Sequence, residues 1–340
     1  MIRFSVIVPI YNQGQFVADA VQSVVEQSFQ DWELIVVDDG STDGGGDRAR
    51  RFADKRVRVL RQDNRGVMAA RKCGLDASSG DGVIFLDGDD RLRPDALARF
   101  AHAFEKQPEA GVAYGDRVLI DESGRIFGSE RGAMLNPRPS GDVLERLISR
   151  DFLSTPGQAC IKRRCLDGID VWALHVRRAA DWVLLSHIAA MCLFTYVGRR
   201  PVVEYRMAAR SMARSLARPN ESEVGISEMV PAIDAIFETS AIVRRYTREQ
   251  RTRLRRRAEA SMFAWKGQEL LRKREWRHAR VYFLEALRMG SRDPRDLICL
   301  ALTVLRAFPP GTRQWTGAFE EGLESKASMK VPGTSKTRSG

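Results

Sequence analysis

The sequence has few of the features that would settle its class at once. It has no apolar run long enough for a membrane helix. The longest, residues 183–197, falls short of the ~20 residues a span requires and is interrupted by Ser186 and His187. Residues 1–5 lead straight into a strand-like run, without the charged start and long apolar stretch of a secretory signal. Cysteines are few and odd in number: Cys73, Cys160, Cys165, Cys192 and Cys299. None has CxxC spacing, and Cys160 and Cys165 have no nearby histidine, which is a poor zinc pattern. They read as reduced, mostly buried thiols of a cytosolic protein. Gly44-Gly45-Gly46 is not GxGxxG and does not directly follow a strand, which argues against a dinucleotide oxidoreductase.

Basic excess is also absent from most of the chain. Residues 1–200 hold 28 basic and 28 acidic residues, so the whole net charge of +11 lies in residues 201–340. A nucleic-acid groove spread over the molecule is therefore not expected. The change in charge suggests a boundary near residue 200. Membrane contact, if any, would be peripheral.

What is present is an alternation of two periods. Residues 4–9 (FSVIVP), 32–37 (WELIVV), 57–60, 83–86 (VIFL) and 112–114 read as strands. Between them, residues 17–25, 67–77 and 96–104 read as helices, with Pro94 suiting the start of the last. Strands that are apolar throughout, alternating with helices, predict a mostly parallel sheet covered on both faces. Further strands are expected at 159–162, 194–197 and 202–205, and helices at 143–150 and 180–191. The division predicted is 1–207 for an α/β unit, 208–225 for a linker, 226–308 for an all-helical extension and 309–340 for a flexible tail.

Ligands of open parallel sheets bind at the carboxyl ends of the strands. Three polar clusters fall there: Pro9-Ile10-Tyr11-Asn12, Asp38-Asp39-Gly40-Ser41 and Asp87-Gly88-Asp89-Asp90. The last sets three carboxylates within four residues and calls for a compensating cation. Oxygen ligands suit Mg²⁺ or Mn²⁺, which commonly bridge to phosphate oxygens. An acidic turn at a strand end is the plainer reading. Arg71, on the helix before the fourth strand, could neutralise a phosphate, although a solvated helix arginine is the simpler view.

The stretches SVIVPIYNQGQFVADAVQSVVEQSFQDWELIVVDDGSTDG and NRGVMAARKCGLDASSGDGVIFLDGDD resemble the inverting family 2 glycosyltransferases. The likeness is dense over residues 3–105 and thins towards residue 206. It implies a GT-A fold, a nucleotide-diphosphate sugar donor (most often a UDP-sugar) and a divalent metal, Mn²⁺ or Mg²⁺. It implies that Pro9 and Tyr11 line the nucleoside pocket and that Asp39 accepts from the base. Arg71 would lie near the base or diphosphate. Asp87, Gly88 and Asp89 match the DxD motif, with Asp89 and Asp90 nearest the metal. The general base would be Asp181, within Arg178-Ala179-Ala180-Asp181-Trp182, although Ala180 replaces the family's usual glutamate. A structural aspartate in the first turn of a helix is the competing reading. Val202-Val203-Glu204-Tyr205-Arg206 resembles the closing Tyr-Arg strand, and no histidine follows it here. The implied role is in cell-surface polysaccharide or lipopolysaccharide synthesis in the cytoplasm, with a saccharide or lipid-linked acceptor.

In the C-terminal region, residues 244–257 hold eight arginines. A solvated helix face is the plain reading. Anionic lipid headgroups or an acidic acceptor are the sharper one. With only Tyr246 as an aromatic, nucleic-acid binding is not expected. Trp265, Gly267, Leu270, Leu271, Trp276, Ala279, Phe283, Ala286 and Pro294 fall near the packing positions of one tetratricopeptide hairpin. One such unit would pack on the α/β unit or on another chain, as in a homo-oligomer. Two rival functions remain: a haloacid dehalogenase-like phosphatase using Asp87 and Asp89, and an inactive transferase-like scaffold. Against the first, Arg91 stands two positions after Asp89, where that family has Thr or Val. Against the second, the aspartates are intact.

Overall fold

The computed structural model describes residues 2–129, 138–149, 152–153, 155–169, 171–173, 179–207 and 229–305. The linker expected at 208–225 and the tail at 309–340 lie outside the described residues. The strands are β1 (Phe4–Ile10), β2 (Trp32–Asp39), β3 (Val57–Gln62), β4 (Gly82–Phe85), β5 (Arg91–Leu92), β6 (Val112–Ile120), β7 (Ile126–Ser129), β8 (Ala159–Lys162) and β9 (Phe194–Arg206). The helices of the α/β part are α1 (Val17–Val25), α2 (Gly45–Arg50), α3 (Val67–Asp76), α4 (Ala96–Lys106), α5 (Leu144–Ser149) and α6 (Ala180–Ala189). Beyond them come α7 (Val230–Glu238), α8 (Ser240–Arg245), α9 (Arg248–Arg272), α10 (Trp276–Arg288) and α11 (Pro294–Leu305).

One sheet joins all the strands in the order β3-β2-β1-β4-β8-β6-β9-β5, with β7 paired to β6. Its first four strands are parallel, as their unbroken apolar sequences predict. β1, β2 and β4 are buried at every residue, whereas β3, at the edge, is partly exposed. The other half mixes directions: β8 runs antiparallel to both β4 and β6, and β9 runs parallel to β6. The strands expected at 194–197 and 202–205 are one strand. Tyr196 to Pro201 on β9 spans the same length as Tyr114 to Asp116 on β6, so residues 197–200 bulge outward without ending the pairing. Gly-Arg-Arg-Pro looks like a turn in sequence because a bulge uses the same residue types.

The pleat sends Ile7, Val83 and Phe85 to one face and Val6, Val8 and Ile84 to the other, and each face has its own core. α3 lies close on β1 because residue 74 is glycine; a Cβ there would meet the Ile7 side chain at 2.3 Å. The second core is completed by α1 and α4. The first is completed by α5, α6 and, from the C-terminal region, Ile233, Ile236, Phe237, Ile242, Leu254 and Met262. The front half of α9 therefore shares the core of the α/β part. Its back half forms a small separate cluster with α10 and α11 through Leu270, Leu271, Ala279, Phe283 and Cys299. Gly267 lets the Phe283 ring approach, since a Cβ would sit 3.0 Å from it. Trp265 is exposed, unlike the other large residues of the hairpin pattern.

Candidate functional site

Because β2, β1 and β4 are parallel neighbours, their carboxyl ends bring the three polar clusters to one edge of the sheet, the candidate cleft. The first two loops are tied together. Asn12 donates its backbone N–H to Ser41 Oγ (3.1 Å), and its Oδ1 accepts the Thr42 N–H (2.9 Å). Asn12 adopts a left-handed φ of 52°, which an asparagine tolerates better than most residues. Pro9 is buried inside β1, and Tyr11, just past the end of the strand, has half of its surface exposed. Gly88 presses the third loop onto the first: a Cβ there would lie 2.6 Å from Ile10 and 2.7 Å from Gln13.

Asp39 is buried and already holds the loop before α3. Its Oδ1 accepts from Gln62 Nε2 (2.7 Å) and the Arg65 N–H (2.9 Å), and its Oδ2 accepts from the Gly66 N–H (2.9 Å). These use three of about four acceptor positions, leaving room for one more donor. Asp38 faces away, fully buried, and accepts from Arg61 (2.7 Å) and the Ser41 N–H (2.8 Å).

Arg71 joins the most distant elements of the cleft. It is 2% exposed, and its guanidinium donates to Asp87 (3.2 Å) and to Asp181 (2.5 Å). The sequence separates these aspartates by nearly a hundred residues; one side chain on α3 brings them together. Both carboxylates keep about 30% of their side-chain surface, so they remain open to the cleft. Burial raises the Asp87 carboxyl most, Arg71 opposes that, and the charges of Asp181 and Asp89 add to it, so that it is pushed up to about 7. Asp181 lies in the first turn of α6, and the preceding Ala179 has a left-handed φ of 57°. Alanine gains no side-chain hydrogen bond from that geometry, so strain is held next to this carboxylate.

Asp90 differs from its neighbours. It has no exposed surface, and its oxygens accept from Thr155 Oγ1 (2.9 Å) and the Arg206 N–H (2.9 Å). Burial pushes its carboxyl well above the usual carboxylate range. Asp90, expected with Asp89 nearest a metal, is turned inward here, where it braces the loop. Asp87 and Asp89 are the partly exposed carboxylates of the motif. Among the described residues, no group of three or more His, Cys, Asp or Glu could hold a metal ion. A pair of hard carboxylate oxygens nevertheless suits Mg²⁺ or Mn²⁺, which take one or two protein carboxylates and fill the remaining positions from substrate phosphates and water.

Arg206 is the residue that sequence reasoning underrated. Buried at 1% exposure, it donates to the carbonyls of Asp89 (2.8 Å) and Glu122 (2.8 Å) and to the Asp19 carboxylate (2.7 Å), and it stacks over Phe16. In the sequence it was visible only as the last residue of the strand that resembles the family's closing Tyr-Arg strand. The basic run is also partly committed to the fold. Arg245 pairs with Asp142, Arg257 with Glu145, and Arg255 with Asp234 and Glu259.

The fold is of the GT-A type: a mixed sheet flanked by helices, with carboxylates at the ends of its parallel strands, shared with the solved glycosyltransferases below. Residues 5–163 match the family model described as glycosyl transferase family 2, and over this part the chain is similar to that family. It is 36% identical over 126 residues to the glycosyltransferase GlyG of Streptococcus pneumoniae, covering 36% of this chain and 42% of GlyG. It is 41% identical over 98 residues to the putative teichuronic acid biosynthesis glycosyltransferase TuaG of Bacillus subtilis, covering 28% of this chain and 39% of TuaG. The chain thus spans less than half the length of these curated relatives. Among solved structures, residues 1–349 of S. aureus TarS, in complex with UDP-GlcNAc, superpose with a TM-score of 0.60 at 15% identity, covering 95% of this chain and 92% of that one. The mannosyltransferase PcManGT of Pyrobaculum calidifontis, in complex with GDP-Man and Mn²⁺, gives 0.56 at 20% identity, covering 96% and 86%. These two share the fold.

Proposed function

We propose that this protein transfers a sugar, with inversion, from a nucleotide-diphosphate donor to an acceptor hydroxyl, in the synthesis of a cell-surface polysaccharide or a related glycan. The observation that carries the reading is the Arg71 bridge between Asp181 and Asp87. It sets a candidate proton acceptor beside the candidate diphosphate site. Donor complexes of TarS and PcManGT, which share the fold, support the substrate class, and the putative teichuronic acid biosynthesis role of TuaG supports the glycan context.

In this mechanism the base of the donor lies against Pro9 and Tyr11 and donates an imino N–H to Asp39. A carboxylate there repels a base that offers only acceptors and suits uracil or guanine, each with an imino N–H; the sequence resemblance favours the UDP-sugar. Asp87 and Asp89 would hold Mn²⁺ or Mg²⁺, which when bound supplies positive charge for the leaving diphosphate. Asp181 accepts the proton of the acceptor hydroxyl as its oxygen attacks the anomeric carbon, opposite to the breaking bond to phosphate oxygen. Arg71 fixes Asp181 and Asp87 relative to each other, so that attack and departure are aligned. The exposed arginines of the basic run, Arg244, Arg248, Arg253 and Arg256, present a face for anionic lipid, consistent with peripheral contact at a membrane.

The test is incubation with a panel of nucleotide-sugars and Mn²⁺, followed by donor binding and release of nucleotide. Asp181→Asn should keep donor binding and lose transfer by about 10²–10⁴-fold. Unchanged transfer would remove Asp181 as the base. No response to any nucleotide-sugar, with Asp89→Ala behaving as wild type, would sink the reading as a whole. Donor binding without transfer to any acceptor would favour the scaffold alternative.

A further inference from the structure

Two cysteines that are 27 positions apart in sequence meet over one glycine. Cys165 ends a short 3-10 turn (Arg163–Cys165) directly after β8, and Cys192 follows α6. Both sulfurs press on Gly111: a Cβ there would lie 2.4 Å from Cys165 Sγ and 3.0 Å from Cys192 Sγ. Gly111 is also the backbone junction of the two segments. Its N–H donates to Leu193 O (2.8 Å), and its carbonyl accepts the Lys162 N–H (2.8 Å). The sheet itself therefore holds the thiols side by side. Cys165 is almost fully buried and Cys192 is half-buried, so small solutes approach the pair from the Cys192 side.

We propose that Cys165 and Cys192 form a reversible redox pair that closes to an intramolecular disulfide when the protein meets a hydroperoxide. The two thiols are unequal in the way such a pair requires. The hydrogen bond with Cys192 holds the Cys165 thiol down to about 7, against burial and with help from Arg164 and Lys162. The same hydrogen bond, together with burial, raises the Cys192 thiol. With Arg164 and Lys162 beside it, Cys165 takes the attacking role and Cys192 the resolving one. The Cys165 thiolate attacks the O–O bond of the peroxide, giving a sulfenic acid and releasing hydroxide. The Cys192 sulfur then attacks the Cys165 sulfur; the S–OH bond breaks, and the departing hydroxide leaves as water with the Cys192 proton. Two electrons pass from the sulfurs to the peroxide, and one S–S bond forms. The bond would staple the exit of β8 to the exit of α6, the helix that carries Asp181.

The experiment treats the full chain with hydrogen peroxide near neutral pH and maps thiols by non-reducing peptide mass spectrometry. Cys160 serves as reference, because it is wholly buried and burial raises its thiol strongly. The expected result is a Cys165–Cys192 linked peptide lighter by two hydrogens, restored by dithiothreitol, with Cys160 unmodified. In Cys192→Ser the reaction should stop at a Cys165 sulfenic acid that dimedone traps. In Cys165→Ser, Cys192 should remain a thiol. The proposal is overturned if wild-type Cys165 and Cys192 are recovered as two separate thiols or two separately oxidised residues under conditions that already oxidise Cys73. It is equally overturned if Cys192 reacts as fast in Cys165→Ser as in wild type.

Discussion

At the scale of single residues, the site turns on one buried cation serving two carboxylates. Arg71 desolvates a guanidinium almost completely, and that is tolerable only because Asp87 and Asp181 both accept from it. Arg71→Ala would leave two carboxylates facing each other without a cation, so we expect a loss of about 2–4 kcal/mol in stability, measured by urea unfolding. Arg71→Lys should recover part of that stability but little transfer activity. An ammonium is a point charge and cannot hold two carboxylates in the planar fork of a guanidinium. If Arg71→Lys transfers sugar as well as wild type, the bridge has no role in alignment. None of this pairing was legible in sequence. The aspartates were visible as strand-end clusters and as a helix start, but their meeting depends on α3 lying close over β1, which Gly74 alone signals. The inward turn of Asp90 was equally hidden, because its partners, Thr155 and Arg206, come from the distant second half of the chain.

At the scale of elements, the two ends of the sheet do different work. The carboxyl ends hold exposed charge. The amino ends are locked by Glu33, which lies opposite Ser5 in register. It accepts from Ser5 Oγ (2.8 Å), the Ser79 N–H (2.6 Å), the Gly80 N–H (3.2 Å) and Arg58 (3.1 Å), tying β1 and β2 to the turn before β4. Burial alone would raise this carboxyl. The Ser79 N–H and the Ser5 and Ser79 hydroxyls outweigh burial, with Arg3 assisting, and hold it below its ordinary 4.5. The unfolded chain therefore binds the proton first. The stability that Glu33 contributes is complete above about pH 5 and drains as pH falls through its folded value. Glu33→Gln should cost about 1.5–3 kcal/mol at pH 7. It should also flatten the acid limb of a stability–pH curve below pH 4.5 while sparing donor binding. An acid limb as steep as that of wild type would show that the carboxylate is not the group that titrates. At this scale the sequence was most readable in the first four strands, where burial on both faces writes an unbroken apolar run. It was least readable where strands are short or bulged. β5 has two residues, and β9 hides its continuity behind Gly198 and Pro201.

At the scale of the whole molecule, charge and packing divide the chain at different places. Charge changes near residue 200, but the core does not end there. Ile233, Ile236, Phe237, Ile242, Leu254 and Met262 are buried in the same core as Phe85 and Trp182. At about 1.5–3 kcal/mol for each large side chain, their burial contributes on the order of 10 kcal/mol or more. That is comparable with the whole stability of an ordinary domain, about 5–15 kcal/mol. A chain ending at Met207 should therefore fail to unfold cooperatively, even though it contains every candidate residue of the site. A chain ending at Arg272 loses only the small cluster around Phe283 and newly exposes Leu270 and Leu271. It should keep a single cooperative transition and lose about 3–6 kcal/mol. Calorimetry of the two truncations decides the matter. If the shorter chain melts as sharply as the longer one, the helices are an appendage, as the charge pattern suggests; if only the longer one does, the cooperative unit that holds the site extends through the first half of α9. The second outcome also explains why the arginine run carries acidic partners at Asp142, Glu145 and Asp234, which a purely solvated face would not need.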